Sequence, residues 1–410
     1  MECLVFKEGV EVALFDNNSN SNSYLLSYKG RHWRVSSFVV HVYEVLMETK
    51  SVDEAYRLIN DKSKTNISVE KFNEVVGFFK NNGLFVGTDD GEKIKRASKN
   101  LWGKITLIPS KTVNKFKWLG IFFDKRVMVV VVLLEIVFFS YFFVTYNSKT
   151  IITDLWNLNM KELSICIVAI MLFGLVHEFG HSTALMSYGQ EAGAIGMGVY
   201  LYMPVFYSNV TNAWKLKRLQ RVCVDIGGIY FQALSICFVY LLTISIDNDS
   251  FIKCAIIISA LQIIGNFNPF IKMDGYWMIC DFLGVSNPYH LIWGGIKNLF
   301  VKKKRKTEFD DMKTVVKCAF LIYAILIICY FIYFIRLVVM LFSSALRQII
   351  EDINNIGLLS EVDISFGDVI VFLQTRVMLY LVLFFTVRLI IILFKKIFII
   401  RRKNENNIGI

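Results

Sequence analysis

Proline is scarce, with four in 410 residues, so little interrupts long helices. Cysteine occurs eight times but never as C-x-x-C, which excludes the paired-thiol spacing of metal knuckles and redox loops. Most of the cysteines (Cys166, Cys237, Cys254, Cys318 and Cys329) lie inside apolar runs, where the thiol is a small buried hydrophobe. The first residues, MECLVFKEGVEVALFDNNSN, lack the charged-then-apolar layout of a signal peptide. Histidine is rare too, with five in the chain. What abounds is apolar: 55% of residues are hydrophobic, gathered in long runs rather than scattered. That distribution indicates a polytopic membrane protein. The net charge of +11 does not point to nucleic acid, because the lysines and arginines cluster beside the apolar runs, as membrane topology requires.

Six runs are long enough to span a bilayer, at roughly 127–146, 163–186, 222–246, 251–273, 315–343 and 369–394. The segments between them alternate in charge. The stretch before the first run, the loop with Lys215, Lys217, Arg218 and Arg221, the loop VKKKRK (301–306) and the tail KKIFIIRRK are basic. The loops 247–250 and 351–368 are acidic and free of lysine. The positive-inside rule then gives six spans with both termini cytosolic. The expected fold is mainly α, a helical membrane protein with a small N-terminal α+β domain.

That domain occupies residues 1–90. NSYLLSYKGRHWRVS reads as two short alternating strands around Lys29 and Gly30, followed by three helices. Ser51-Val-Asp-Glu54, before the second helix, fits the Ser-x-x-Glu capping pattern; Ser68-Val-Glu-Lys71, before the third, does not. Strands plus three helices suggest a winged-helix type. Residues 91–125 read as a basic linker and interfacial segment beside anionic lipid. A membrane core follows over 126–284, then a basic amphipathic interfacial segment over 285–314, then two spans and a basic tail over 315–410.

The second run contains GLVHEFGHSTAL (174–185), with two histidines and a glutamate where ionisable groups cost about 2.5–3.5 kcal/mol each. His177 and His181 are four apart, so on a helix they share one face and can hold one metal ion. Glu178 sits about 100° round, near enough to reach a water on that metal without binding it. This is the H-E-x-x-H arrangement of zinc hydrolases, in which the metal acidifies water and the glutamate carries the proton. The plainer alternative is three polar residues lining a helix contact. A catalytic zinc needs a third protein ligand. The fourth run supplies a candidate in GNFNPFIKMDGYWMICDF (265–282), where Asn266, Pro269, Asp274 and Gly275 interrupt the helix at a comparable depth. Proline breaks the helix and Gly275 permits a turn that presents Asp274. The alternative is that Asp274 is simply the first residue beyond the span.

His177-Glu178-Phe179-Gly180-His181, followed about ninety residues on by Asn266-x-x-Pro269-x-x-x-x-Asp274-Gly275, resembles the paired signatures of site-2-protease-type intramembrane zinc metalloproteases. The resemblance implies His177, His181 and Asp274 as zinc ligands and Glu178 as catalytic acid–base. It also implies that Asn266 holds the substrate backbone or transition state. MPVFYSNVTNAW (203–214), KLKRLQR (215–221) and NPFIKMDGYW (268–277) are similar to the branch of peptide zinc metalloproteases. Residues 10–88 resemble PqqD-like domains, which bind leader peptides of ribosomally made peptides by strand addition. The third run departs from the family pattern at VDIGGIYFQ (224–232), although Gly227 and Gly228 still allow close helix approach. No PDZ-like insert fits in the chain, which leaves the N-terminal domain as the natural substrate filter.

Residues 192–206 follow the metal helix and mix glycine with strand formers. Either they form a re-entrant hairpin whose edge pairs with unfolded substrate, or they are an apolar loop. Asp281 is a candidate to support the Asp274 turn. The expected function is cleavage of a peptide or membrane-associated substrate near the cytosolic face of a bacterial cell membrane, in maturation of a secreted peptide. Regulated proteolysis of a signalling protein and a non-catalytic peptide-recruiting module are the alternatives.

Overall fold

The computed structural model describes residues 4–16, 22–62, 67–88, 101–145, 158–200, 203–243, 250–285, 287–300 and 308–356, together with Phe384 and Arg388. It is mostly helical and divides into two compact units, Met1–Phe320 and Leu321–Ile410.

The N-terminal part has three antiparallel strands, β1 (Glu11–Phe15), β2 (Ser23–Tyr28) and β3 (Arg31–Ser36), in the order β1-β2-β3. Sequence reading anticipates β2 and β3 but not β1, whose partner strand lies beyond an Asn- and Ser-rich stretch. Lys29 and Gly30 turn the β2–β3 hairpin with positive φ at both positions (47° and 72°), as a tight hairpin turn requires. Helices α1 (Ser37–Thr49), α2 (Val52–Lys62) and α3 (Val69–Asn81) follow. Ser68 caps α3, accepting from the Lys71 N–H at 3.4 Å without the reciprocal Glu of a capping box. Strand alternation gives the sheet two working faces. Val12, Leu26, Tyr28, Trp33 and Val35 pack on the helices around Leu46, Ile59, Phe72 and Phe79. Leu25, Ser27 and Phe15, on the opposite face, are also buried.

The membrane part of the same unit meets that second face. The Lys215 ammonium pairs with Glu11 at 2.9 Å, and His32 meets the Asn212 amide oxygen at 3.3 Å. The Phe15 ring stacks on Trp214 with centroids 5.8 Å apart.

Four helices among the described residues are long and apolar enough to cross a membrane: Lys125–Thr145, Met160–Ser187, Arg218–Thr243 and Thr314–Ser344. After the short α4 (Ser110–Val113), we number the helices α5 (Lys125–Thr145), α6 (Met160–Ser187), α7 (Arg218–Thr243), α8 (Ser250–Asn266), α9 (Asp274–Leu283), α10 (Pro288–Phe300) and α11 (Thr314–Ile356). The expected fourth span is thus a 17-residue helix, a break and a second short helix. The expected sixth span, 369–394, lies outside the described residues except for Phe384 and Arg388, as do the acidic loop 247–250 up to Ser250 and the basic loop 301–306. Helix α6 begins with a reciprocal cap: the Glu162 N–H donates to Asn159 Oδ1 and the Asn159 N–H donates to Glu162 Oε2, both at 3.0 Å. Its first half exposes Ile165, Ile167, Val168 and Leu172 at the surface, while its second half is buried from Gly180 to Met186. The polar signature therefore sits in the half enclosed by protein.

A second antiparallel sheet joins β4 (Leu101–Ile108), β5 (Ile195–Tyr200) and β6 (Met203–Ser208) in that order. Residues 101–108, expected as part of a linker, are one of its strands, and the run 192–206 is a hairpin rather than a plain loop. Asn114 pins the hairpin base, donating to the Ala192 carbonyl at 2.7 Å and accepting from its N–H at 3.1 Å.

Candidate metal centre

Helices α6 and α7 cross at glycine. A Cβ on Gly180 would run into the Gly227 carbonyl, and one on Gly227 would stand 2.8 Å from the Gly180 oxygen and 2.9 Å from the Ala184 methyl. Backbones this close bring α7 directly over the histidine face of α6. The next residue, Gly228, faces the imidazoles, where an added Cβ would stand 2.6 Å from His177 Nε2. The missing side chain leaves a hollow in front of both rings.

Helix α7 also orients those rings. The Nδ1–H of His181 donates to the Val224 carbonyl at 2.7 Å, and Nδ1 of His177 lies 3.0 Å from the Gln232 amide oxygen. A carbonyl oxygen can only accept, so the proton sits on Nδ1 and Nε2 carries a lone pair. The Gln232 amide is itself held the right way round by donating to Gln262 Oε1 at 3.4 Å. The two Nε2 atoms lie 3.1 Å apart, facing each other.

Asp274 completes the cluster from α9. The chain breaks after Asn266, Met273 is extended (φ −118°), and Asp274 is the first residue of the new helix. Its carboxylate lies 2.9 Å from His177 Nε2 and 3.5 Å from His181 Nε2. Gly275 serves differently from the sequence expectation. Its φ is not positive, so it makes no special turn; a Cβ there would strike the Phe267 carbonyl and lie 3.0 Å from that of Asn266. It lets α9 start hard against the end of α8.

His177, His181 and Asp274 each offer one ligand atom, all within 4.8 Å of one another. Oδ2 of Asp274 is buried without a hydrogen-bond partner. Two lone pairs and a carboxylate pointed at one another cannot satisfy each other, but a shared cation satisfies all three. The donors therefore fit a metal ion, and two imidazoles with one carboxylate form a set that suits zinc among other first-row ions.

The cluster opens onto a cavity of about 580 Å³ lined by Glu178, His181 and Asp274. Residues 205–208 of β6 form one wall, Trp277 and Asp281 another, and Phe15 and Arg34 of the N-terminal sheet a third. Glu178 is thus placed beside the cluster without joining it. Asn266, half-buried at the end of α8, does not line the cavity.

Sequence reading passes over Gln232, Asp225 and Arg221. The first two are polar residues inside the third apolar run, a placement that itself signals function. Asp225 lines the cavity, and its Oδ2 has no hydrogen-bond partner. Arg221 counts in the sequence as part of a basic loop, yet it is 3% exposed and donates from Nε to Asp281 Oδ1 at 2.6 Å. Asp281 supports α9 through this ion pair. Comparison with known protein families, with curated proteins and with solved structures finds no match to this chain.

Proposed function

We propose that the chain is an intramembrane zinc endopeptidase of the site-2-protease type. The observation that carries this reading is the convergence of His177, His181 and Asp274 beside Glu178, in a cavity between membrane-type helices. When bound, zinc supplies a Lewis acid that acidifies water and polarises a peptide carbonyl.

The chain's own residues account for the rest. Val224 and Gln232 hold both imidazoles with Nε2 toward the site. Glu178 takes a proton from water and returns it to the leaving amine. The outer edge of β6 is available for pairing, and its residues 205–208 line the cavity, which supports an extended substrate lying along that edge. The role of Asn266 in holding the substrate backbone belongs to the same reading.

The substrate we infer is a peptide or membrane-associated precursor cut near the cytosolic face of a bacterial cell membrane, in maturation of a ribosomally made peptide. On this reading the chain crosses the membrane six times with both termini in the cytosol. The PqqD-like resemblance of residues 10–88 and the presence of Phe15 and Arg34 in the cavity wall support the N-terminal domain as the leader-recognising filter.

The test compares peptide products of cells carrying wild type and Glu178→Ala. Loss of the processed peptide in the variant, with normal membrane insertion, is the expected result. Unchanged products from a normally inserted variant would exclude the protease reading for that peptide.

A further inference from the structure

The face of the N-terminal sheet that packs on the membrane part lies against a buried arginine, and the carboxylate which that arginine holds is two helical turns from Asp274. Arg221, in the first turn of α7, is buried. A buried guanidinium needs partners for its N–H groups. Nε donates to Asp281 Oδ1 on α9 at 2.6 Å, Nη1 to the Leu216 carbonyl at 3.0 Å and Nη2 to the Asp16 carbonyl at 3.2 Å. The Phe15 ring covers its flat face, 4.6 Å from the guanidinium carbon to the ring centroid.

A second arginine repeats the connection. The Arg218 backbone N–H donates to Asp16 Oδ2 at 2.9 Å. Its guanidinium donates to the Phe282 carbonyl on α9 and lies 5.9 Å from the centre of the Phe282 ring. Phe15 and Asp16 therefore form one layer, Arg218 and Arg221 a second, and Asp281 and Phe282 a third. Asp281 follows Asp274 by seven residues, about two turns, so it lies on the ligand's side of a ten-residue helix. That helix is separated from α8 by the break at 267–273, so chain continuity alone does not fix where it sits.

We propose that the N-terminal domain is a structural part of the metal centre, with Phe15 and Asp16 acting through Arg218 and Arg221 to position Asp274 opposite the two histidines. This rests on the reading of His177, His181 and Asp274 as metal ligands. Arg218, Arg221 and Asp281 are positioning residues, since none of them belongs to the ligand cluster. Docking of the N-terminal domain and assembly of the ligand set are then one event. Anything that lifts the sheet from residues 211–218 loosens Asp274.

The test uses the full-length protein in detergent micelles. Zinc affinity is measured by competition with a chromogenic chelator, and cobalt absorption reports the ligand set. Arg221→Ala leaves the half-buried Asp281 without its cation and risks misfolding, so the informative variants act from the N-terminal side. Phe15→Ala removes the ring, and Asp16→Lys sets a cation against both arginines. Each is expected to weaken zinc binding tenfold or more and to change the cobalt spectrum, as loss of outer support for a ligand does. Asp16→Asn keeps an acceptor for the Arg218 N–H and is expected to restore near-wild-type binding, which general damage to the domain would not predict. Wild-type affinity and spectrum in both Phe15→Ala and Asp16→Lys would overturn the inference alone. Absence of metal binding in the wild type would overturn the ligand reading, and this inference with it.

Discussion

The Nδ1–H of His181 is held by the Val224 carbonyl at 2.7 Å, a contact between the second and third membrane-type helices. Because α7 bends no side chain to make it, the imidazole is oriented by backbone alone. His177 has the corresponding support from a side chain, Gln232, at 3.0 Å. The asymmetry makes one of the two supports open to mutation.

Gln232→Leu keeps the bulk and removes the acceptor. Metal affinity is expected to fall about 10–100-fold, with the helices still packed. Chelator competition on the purified protein measures it; an affinity equal to wild type would mean that Gln232 does not orient His177. His181→Ala and Asp274→Ala each remove a ligand and are expected to leave the purified protein without stoichiometric metal.

Gly228 and Gly180 separate two kinds of damage. Gly228→Ala puts a methyl in front of the imidazoles, 2.6 Å from His177 Nε2, and is expected to block metal binding. Gly180→Ala drives a methyl into the Gly227 carbonyl and forces α6 from α7, costing about 1–3 kcal/mol of stability. Thermal unfolding and metal content, measured on both variants, should therefore respond in opposite proportion. Equal metal content in wild type and Gly228→Ala would contradict the placement of the site.

Glu178 lies in the cavity wall but outside the ligand cluster. Glu178→Ala is expected to retain metal at wild-type stoichiometry and to lose peptide cleavage by roughly 10²–10⁴-fold, the usual scale for a proton-transferring group. Loss of metal in that variant would reassign Glu178 as a ligand.

His32, where the N-terminal sheet meets Asn212 and Lys215, makes the stability of the fold sensitive to pH. Burial holds its pKa below the ordinary 6.5, opposed by the hydrogen bond that its ring donates to the Asn212 amide oxygen and by Glu11, while the Lys215 ammonium pushes it further down. In the unfolded chain the histidine therefore takes up its proton at a higher pH than in the folded one. Stability is full above about 6.5 and declines as pH falls from there through the depressed value. Thermal midpoints recorded between pH 7.5 and 5 should show the decline, and His32→Gln should flatten it. An identical slope in the variant would place the effect elsewhere.

Much of the site is legible in the sequence because its features are local. The four-residue spacing of His177 and His181 sets one helical face, and their cost in an apolar run marks them as functional. The Asn-Pro-Asp-Gly stretch announces a broken helix, and the structure breaks there. The features that remain hidden depend on two distant segments. β1 is separated from β2 by an Asn- and Ser-rich stretch, which marks a loop but not which strands pair across it. Strand β4 lies in a lysine-bearing stretch that reads as linker until β5, about ninety residues later, pairs with it. Arg221 reads as a loop cation because positive-inside counting records charge and not burial.

By itself, then, the sequence determined the membrane-type helices, the histidine pair, the glutamate between them and the broken segment that ends at Asp274. Each follows from hydropathy or spacing within one short window, where backbone geometry dictates the outcome. Tertiary structure alone decided that Gly228 would clear room before the imidazoles and that Val224 and Gln232 would set which nitrogen faces the site. It alone laid the second face of the N-terminal sheet against the arginines behind α9. These depend on which helices lie side by side and how closely, and close packing of distant segments leaves no periodic trace along a single chain.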